Sequence, residues 1–115
     1  MPPMKLDLEK EALPGTGTVV IKLIGKLALE TVHDFIQTLR SEPAAHLVLD
    51  MTGVTFLDSA GVGALVSLFV TRKNHGKTFA IAGMNQQSNA VLVVSGLNKY
   101  LPVFPTVDEA AAKSA

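Results

Sequence analysis

A serine with acidic neighbours stands where a predicted strand gives way to a predicted helix. Ser59 follows Asp58, and Asp50 ends the apolar run at residues 47–49. From Ser59 onward, apolar residues recur at the i, i+3, i+4, i+7 spacing of a helix packed on a core. This pattern places the Ser59 hydroxyl at a helix N-terminus and at the carboxyl edge of the sheet. In open α/β sheets, that edge is where ligands and partners bind.

Hydrolytic catalysis is the first chemistry that such a serine suggests. A nucleophile elbow has the sequence G-x-S-x-G, whereas residues 57–61 read LDSAG and lack the first glycine. His75 lies 16 residues beyond Ser59, which is roughly 24 Å along a helix. His46 begins a strand at the opposite edge of the sheet, and His33 opens another helix alone. We therefore predict no catalytic residue and expect the histidines at surface or capping positions.

Two glycines in the first turns of the same helix raise the question of nucleotide binding. A dinucleotide fingerprint needs a third glycine where Val66 stands, and the Gly-Lys-Ser/Thr of a P-loop is absent. The acidic and imidazole side chains are scattered without the spacing of metal ligands. We predict neither a metal site nor a cofactor. Gly61 and Gly63 are instead expected to let the helix approach another backbone closely.

The composition restricts the class of protein. The chain has 115 residues, 48% of them hydrophobic, which suits one α/β domain covering 1–115. Ten basic and ten acidic residues cancel, so nothing favours nucleic acid or an anionic membrane as partner. Cysteine is absent, the longest apolar stretch is too short for a membrane span, and the first ten residues lack a signal-peptide core. The expected location is the cytoplasm.

Strands and helices are predicted to alternate along the chain. The predicted strands are 5–11, 18–25, 47–51, 78–83 and a short edge strand at 101–104, the first two forming a hairpin. The predicted helices run from about Thr31 to before Pro43, from Ser59 to Asn74, from Asn85 or Gln86 to Gly96, and from the capping box at 106–109 onward. This order predicts a mixed, mostly parallel α/β sheet of four to five strands, packed with four helices.

Asp50 and Asp58 are expected to crowd the sheet edge near Ser59. Residues 50–58 contain turn-forming residues and are predicted to form a loop. In a purely structural reading, Asp58 or Ser59 is the helix N-cap and Asp50 makes an Asx turn. The two readings are compatible with each other.

The outer side of the second predicted helix lacks charge. Once Val62, Leu65, Val66 and Phe69 face the sheet, a small uncharged face remains that is formed by Ala60, Ala64, Ser67, Leu68 and Thr71. Surface helices normally carry charges on this side, so the face predicts a docking surface for another protein. The alternative is that it packs beneath the chain's own terminal helix.

The stretch VLDMTGVTFLDSAGVGALVSL at residues 48–68 closely resembles the signature of STAS-domain anti-sigma factor antagonists. In that signature an apolar strand ending in Asp leads to D-S-[ASTG]-G at a helix start. The similarity extends over nearly the whole chain, including GKTFAIAGMNQQSNAVLVVSGL at residues 76–97. The resemblance implies a single STAS-like domain that binds partners and catalyses nothing itself.

The resemblance also implies a partner switch. Ser59 would be phosphorylated by an anti-sigma factor that is a GHKL-type serine kinase, and a PP2C-type phosphatase would remove the phosphate. The unphosphorylated form would sequester the kinase and free its sigma factor. From the resemblance and the uncharged helix face together, the predicted partner-contact residues are Lys26, Asp50, Asp58, Ser59, Ala60, Gly61, Gly63, Ala64, Ser67 and Leu68. The chain departs from the family at residues 25–28, where G-E-L-D is replaced by GKLA.

Three alternatives stay open at this stage. The same fold serves as a scaffold subunit of sensory assemblies and as a regulator of lipid transport. A small hydrolytic or ligand-binding domain that uses Asp50, Asp58 and Ser59 is an alternative from a different class. The sequence also leaves open whether the chain forms a homodimer.

Overall fold

The chain alternates strands and helices in the predicted order. The computed structural model describes residues 5–112; the ends of the predicted 1–115 domain lie outside this range. In it the elements are β1 Leu6–Leu13, β2 Thr18–Leu27, α1 Val32–Leu39, β3 His46–Leu57, α2 Ser59–Asn74, β4 Thr78–Ala82, α3 Gln86–Ser95, β5 Val103–Phe104 and α4 Val107–Ala112. A 3₁₀ turn, Leu97–Lys99, connects α3 to β5.

The sheet has the strand order β1-β2-β3-β4-β5. The first pair is antiparallel and forms the predicted hairpin, whereas the other three pairs are parallel. Each parallel connection passes through a helix, as a crossover between parallel strands requires. The prediction of a mixed, mostly parallel α/β sheet with four helices is confirmed.

The two faces of the sheet are covered by different helices. Alternate residues of β3 point to opposite faces. Leu47 and Leu49 belong to the large core beneath α1, α2 and α3, while Val48 packs with Ala110 of α4 on the other face. The alternative in which the outer side of α2 packs beneath the terminal helix is therefore wrong. The sheet separates the two helices.

The helix ends follow the local signals in the sequence. The N–H of Lys77 donates to the carbonyl of Arg72 at 2.9 Å around Gly76, whose φ of 71° closes α2. Asn85 caps α3 through a 2.8 Å bond from the N–H of Ser88, and Thr106 Oγ1 accepts from the N–H of Glu109 at 3.2 Å. Capping of α2, α3 and α4 is thus predictable from short-range chemistry.

The predicted loop at residues 50–58 is wrong, because β3 continues to Leu57. Residues 50 and 53 of β3 pair with residues 22 and 24 of β2, so one extra residue is accommodated in a bulge. A Cβ at Gly53 would lie 2.7 Å from the carbonyl oxygen of Leu23. Gly53 therefore permits close strand contact instead of making a turn. Gly25 likewise permits close strand contact and does not end β2, which continues to Leu27.

His46 is buried, so its predicted surface or capping position is wrong. Its ring hydrogen-bonds Thr78 Oγ1 and lies 3.3 Å from the carbonyl oxygen of Ala110. Burial and the nearby charge of Arg72 lower the pKa of His46 below its ordinary value of 6.5, although the bond to Ala110 opposes this shift. His46 thus connects the start of β3 to α4.

Arg72, in the last turn of α2, is also buried. Its guanidinium donates to the carbonyl oxygens of Thr78, Glu42 and Ala44 at 2.9, 3.1 and 2.6 Å. Burial raises the pKa of Glu42. Hydrogen bonds from Lys10 and Ala44, with the charges of Lys10 and Arg72, outweigh this effect and hold the pKa below its ordinary value of 4.5. The hydrogen bonds of Arg72 fix the C-terminal end of α2.

Candidate functional site

Asp58 and Ser59 occupy the junction of β3 and α2. Asp58 is the N-cap, and its Oδ1 accepts from the N–H of Gly61 at 2.8 Å. Its Oδ2 accepts from the N–H of Leu29 at 3.1 Å. One carboxylate therefore caps α2 and holds the loop that follows β2. Ser59 is the first residue of α2 and is exposed to solvent.

The two glycines of α2 have different environments. A Cβ at Gly61 would lie 2.3 Å from the carbonyl oxygen of Leu27, which confirms the expected close backbone approach. A Cβ at Gly63 would meet nothing within 4 Å, so the same expectation is wrong there. Gly61 is buried and cannot contact a partner directly, whereas Gly63 is exposed.

The exposed face of α2 differs from the predicted one. Ala64 and Leu68 are each only 3% exposed, so their predicted position on the docking surface is wrong. Because α2 lies between α1 and α3, the core surrounds it over a wider arc than a helix packed on the sheet alone. Ser59, Gly63 and Ser67 form the exposed stripe at i, i+4, i+8, and Ala60 is half-buried beside it.

Asp50 lies in the middle of β3, not at the edge near Ser59. Its Oδ1 accepts from the N–H and hydroxyl of Thr52 at 3.0 and 2.7 Å, so the local Asx-type contact is present. The strand then runs on through Leu57, roughly 20 Å farther at about 3.3 Å per residue. Asp50 shares the sheet face of Val48, toward α4, and lines a surface hollow with Asp108. The predicted pairing of Asp50 with Asp58 around Ser59 is wrong.

Lys26 is exposed near the carboxyl end of β2, where its register partner is Phe56 of β3. The next pair, Leu27 and Leu57, directly precedes Asp58. Lys26 therefore lies on the rim of the junction, as expected. Ala28, at the second position where the family has an acid, is buried at 1% exposure.

An apolar groove of about 560 Å³ lies between α2 and α3. It is lined by Ser59, Val62 and Gly63 from one side and by Ala90, Val91, Val94, Ser95 and Leu97 from the other. The α3 side of this groove was not predicted from the sequence. The sequence does indicate an uncharged face there, because residues 86–95 contain no charged side chain and have adjacent valines at 93 and 94.

Two amides at the start of α3 hold it against β3. Gln87 accepts from the N–H of Leu57 at 3.1 Å and donates to the carbonyl oxygen of the same residue at 2.9 Å. Asn85 Nδ2 donates to the carbonyl oxygen of Val54 at 3.0 Å. The residue before Asp58 and the α3 wall of the groove are thus fixed to each other.

The chemistry available at this site is recognition and modification of an alcohol. The groove has no titratable side chain among its lining residues within the described 5–112. In the same range there is no group of three or more His, Asp or Glu residues placed to hold a metal ion. None of the described helices is long and apolar enough to cross a membrane. The site presents an exposed hydroxyl beside an uncharged groove.

Comparison with known proteins gives consistent matches. A family model described as STAS domain matches residues 7–110. An anti-sigma F factor antagonist of Paenibacillus polymyxa is 26% identical over 106 residues, which is 88% of each chain. The crystal structure of an anti-sigma factor antagonist from Mycobacterium paratuberculosis aligns with a TM-score of 0.83 at 22% identity, covering 98% of this chain and 97% of that one. The anti-sigma factor antagonist SpoIIAA in its unphosphorylated form aligns with a TM-score of 0.73 at 20% identity, covering 95% of each chain.

Proposed function

This chain belongs to the STAS-domain family, and from that premise we propose that it acts as an anti-sigma factor antagonist. Its unphosphorylated form binds a GHKL-type serine kinase that is itself the anti-sigma factor, and the sigma factor is released. The kinase inactivates the antagonist by phosphorylating Ser59, and a PP2C-type phosphatase restores it. The observation that carries this proposal is the exposed Ser59 hydroxyl at the first position of α2, directly after the capping Asp58.

Phosphorylation of Ser59 is compatible with the fold. A phosphate adds about −1.5 to −2 charges, and the N-terminus of a helix favours an anion by roughly 0.3 to 1 kcal/mol. Asp58, already negative, offsets part of this gain. The phosphorylated domain is therefore expected to remain folded, and the switch acts where a partner approaches.

The proposed contact surface is smaller than the sequence suggested. It retains Ser59, Ala60, Gly63 and Ser67 of α2 and Lys26 on the rim. Asp58 contributes its charge while its oxygens hold Gly61 and Leu29. Gly61, Ala64 and Leu68 are buried, so they are not part of this surface. Asp50 is also left out, because it lies in the middle of β3 and not near Ser59.

Release of the partner requires only a modest change in binding free energy. Each 1.4 kcal/mol lost at an interface weakens affinity about tenfold. A doubly charged phosphate placed beside Asp58 and an apolar groove can reduce the binding free energy by several times this amount, because charges that enter an interface lose water. The domain thus acts as a binding module with no catalysis of its own, and the expected compartment is the cytoplasm, where sigma factors act.

A pull-down from native cell extract tests this proposal. Unphosphorylated wild-type and Ser59→Ala proteins should capture a GHKL-type kinase, whereas Ser59→Asp should capture little. Mass spectrometry of the protein purified from its native cell should find phosphate on Ser59. Equal capture by the Ala and Asp variants would remove Ser59 from the mechanism. Recovery of transporter subunits would favour the lipid-transport role, and recovery of a large sensory assembly would favour the scaffold role.

A further inference from the structure

Asp50 lies away from Ser59 along β3, yet its carboxylate makes specific contacts. Its Oδ1 accepts hydrogen bonds from the N–H of Thr52 at 3.0 Å and from the hydroxyl of Thr52 at 2.7 Å. Because the hydroxyl is held in this way, the Thr52 side chain is kept in one rotamer. The position of the Thr52 methyl group, Cγ2, is therefore set by Asp50.

The Thr52 methyl group contacts the loop that follows β4. A Cβ at Gly83 would lie 2.4 Å from Thr52 Cγ2 and 3.6 Å from Asp50 Oδ1. β4 ends at Ala82, the register partner of Asp50, and Gly83 then turns the chain with a φ of 72°. Glycine is required here by the positive φ and by the close contact together. The loop after β4 therefore packs directly on the side chain that Asp50 holds.

This loop leads into α3, which is attached to β3 by side chains. The pairing of β3 with β4 ends at residues 50 and 82, so in the described range no strand lies beside β3 beyond that point. Asn85 instead donates to the carbonyl oxygen of Val54 at 3.0 Å, and Gln87 bonds both backbone groups of Leu57. The start of α3 thus contacts β3 at residues 52, 54 and 57, and the last of these contacts is next to the junction with α2.

We propose that Asp50 is a positioning residue for Ser59. It holds Thr52 against Gly83 and thereby fixes the start of α3, from which Gln87 holds the junction of β3 and α2. This inference rests on the proposed function and adds a residue that acts on the site without touching it. A junction that is held less firmly loses more freedom when a partner binds, and it therefore binds the partner more weakly.

Hydrogen exchange of the full chain, followed by NMR, tests the link from Asp50 to α3. In Asp50→Ala the Leu57 N–H, which donates to Gln87, should exchange about threefold to tenfold faster. Asp50→Asn keeps an acceptor oxygen for Thr52 and should stay within about twofold of wild type. Glu11→Ala removes another carboxylate from the surface hollow that Asp50 lines and should have no effect. Unchanged exchange in Asp50→Ala, or an equal increase throughout the chain, would overturn the proposal.

The contact between Thr52 and Gly83 is tested by a double substitution. Gly83→Ala places a Cβ against the Thr52 methyl group and should also accelerate exchange of the Leu57 N–H. Thr52→Ser removes this methyl group and keeps the hydroxyl. If the contact transmits the effect, Gly83→Ala should accelerate exchange less in the Thr52→Ser background than in wild type. Equal acceleration in the two backgrounds would mean that only the φ of residue 83 matters, and it would overturn the link through Thr52.

Steady-state phosphorylation of Ser59 by the kinase recovered in the pull-down tests the effect on the site. Asp50→Ala should raise the KM for the domain about threefold or more and change kcat by no more than about twofold, because Asp50 does not touch the reacting atoms. Asp50→Asn should retain the wild-type KM. Thr106→Ala destabilises the domain through the cap of α4 on the other face of the sheet and should leave the KM unchanged. An equal rise of KM in Thr106→Ala would reduce Asp50 to a general stabilising role.

The outcomes separate this inference from the proposed function. The exchange measurements need no kinase, so they decide the link between Asp50 and α3 by themselves. An unchanged KM in Asp50→Ala would overturn the positioning role alone. A wild-type protein that no kinase phosphorylates at Ser59 would overturn the proposed function and the positioning role together.

Discussion

The side-chain amide of Gln87 hydrogen-bonds both backbone groups of Leu57, accepting at 3.1 Å and donating at 2.9 Å. The pair joins the first turn of α3 to the last residue of β3. Through it, the wall of the groove and the junction that presents Ser59 are held as one unit.

Replacing Gln87 with Leu should destabilise the domain by about 1 to 3 kcal/mol, because the buried N–H and carbonyl of Leu57 lose their partner. Urea denaturation measures the change. Gln86→Leu alters the neighbouring exposed residue and should change stability by no more than about 0.5 kcal/mol. Equal stability of the two variants would show that the amide contributes little.

Removing the Asp58 carboxylate should affect the loop after β2 as well as the start of α2. Asp58→Ala is expected to lower the free energy of unfolding by about 1 to 2 kcal/mol, mainly through loss of the N-cap. The Leu29 N–H, which loses its acceptor, should exchange faster with solvent. Hydrogen exchange followed by NMR checks both effects. Glu30 is an exposed acid in the same loop, so Glu30→Ala serves as the control and should leave the exchange rate of the Leu29 N–H unchanged.

The two glycines of α2 should respond oppositely to alanine. Gly61→Ala forces a Cβ against the carbonyl oxygen of Leu27 and should destabilise by about 1 to 3 kcal/mol. Gly63→Ala meets open space and should stabilise by about 0.5 to 1 kcal/mol. Thermal unfolding of both variants tests the pair, and a stable Gly61→Ala would contradict the tight contact.

Stability should fall on acidification as His46 titrates. The folded pKa of His46 lies below its ordinary value of 6.5, so below about pH 6.5 the unfolded chain binds a proton that the folded chain excludes. The contribution is complete above that pH and is lost as the pH falls toward the folded pKa. His46→Asn should flatten this part of the denaturation profile, whereas His33→Asn, at an exposed position, should leave it unchanged.

Phosphorylated and unphosphorylated protein should differ little in stability. The helix dipole and Asp58 act on the phosphate in opposite directions, each by about 1 kcal/mol or less. Urea denaturation of the purified phosphoprotein should therefore give an unfolding free energy within about 1 kcal/mol of the unmodified protein. A much larger loss would mean that modification unfolds the site, and interface repulsion would then be unnecessary.

Local signals made much of this fold predictable. The bounds of α2 agree with the prediction of 59–74, because Asp58 and Gly76 mark its ends through hydrogen bonds made within the segment. The extension of β3 was not predictable in this way. Thr52 and Gly53 are typical turn residues, and only pairing with β2 keeps them in a strand.

The position of the serine was predictable, but the extent of its surroundings was not. The position of Ser59 could be inferred from the predicted start of α2. The burial of Ala64 and Leu68 depends on the two flanking helices, which the periodicity of α2 alone does not reveal. The groove is a property of α2 and α3 together. Its lining could be identified only once their arrangement was known.

The placement of α4 on the far face of the sheet has a practical use. Because the chain contains no cysteine, a dye attached through Glu109→Cys, at an exposed position of α4, would be unique and would lie on the side of the sheet opposite α2. Such a label leaves Ser59 accessible to a partner.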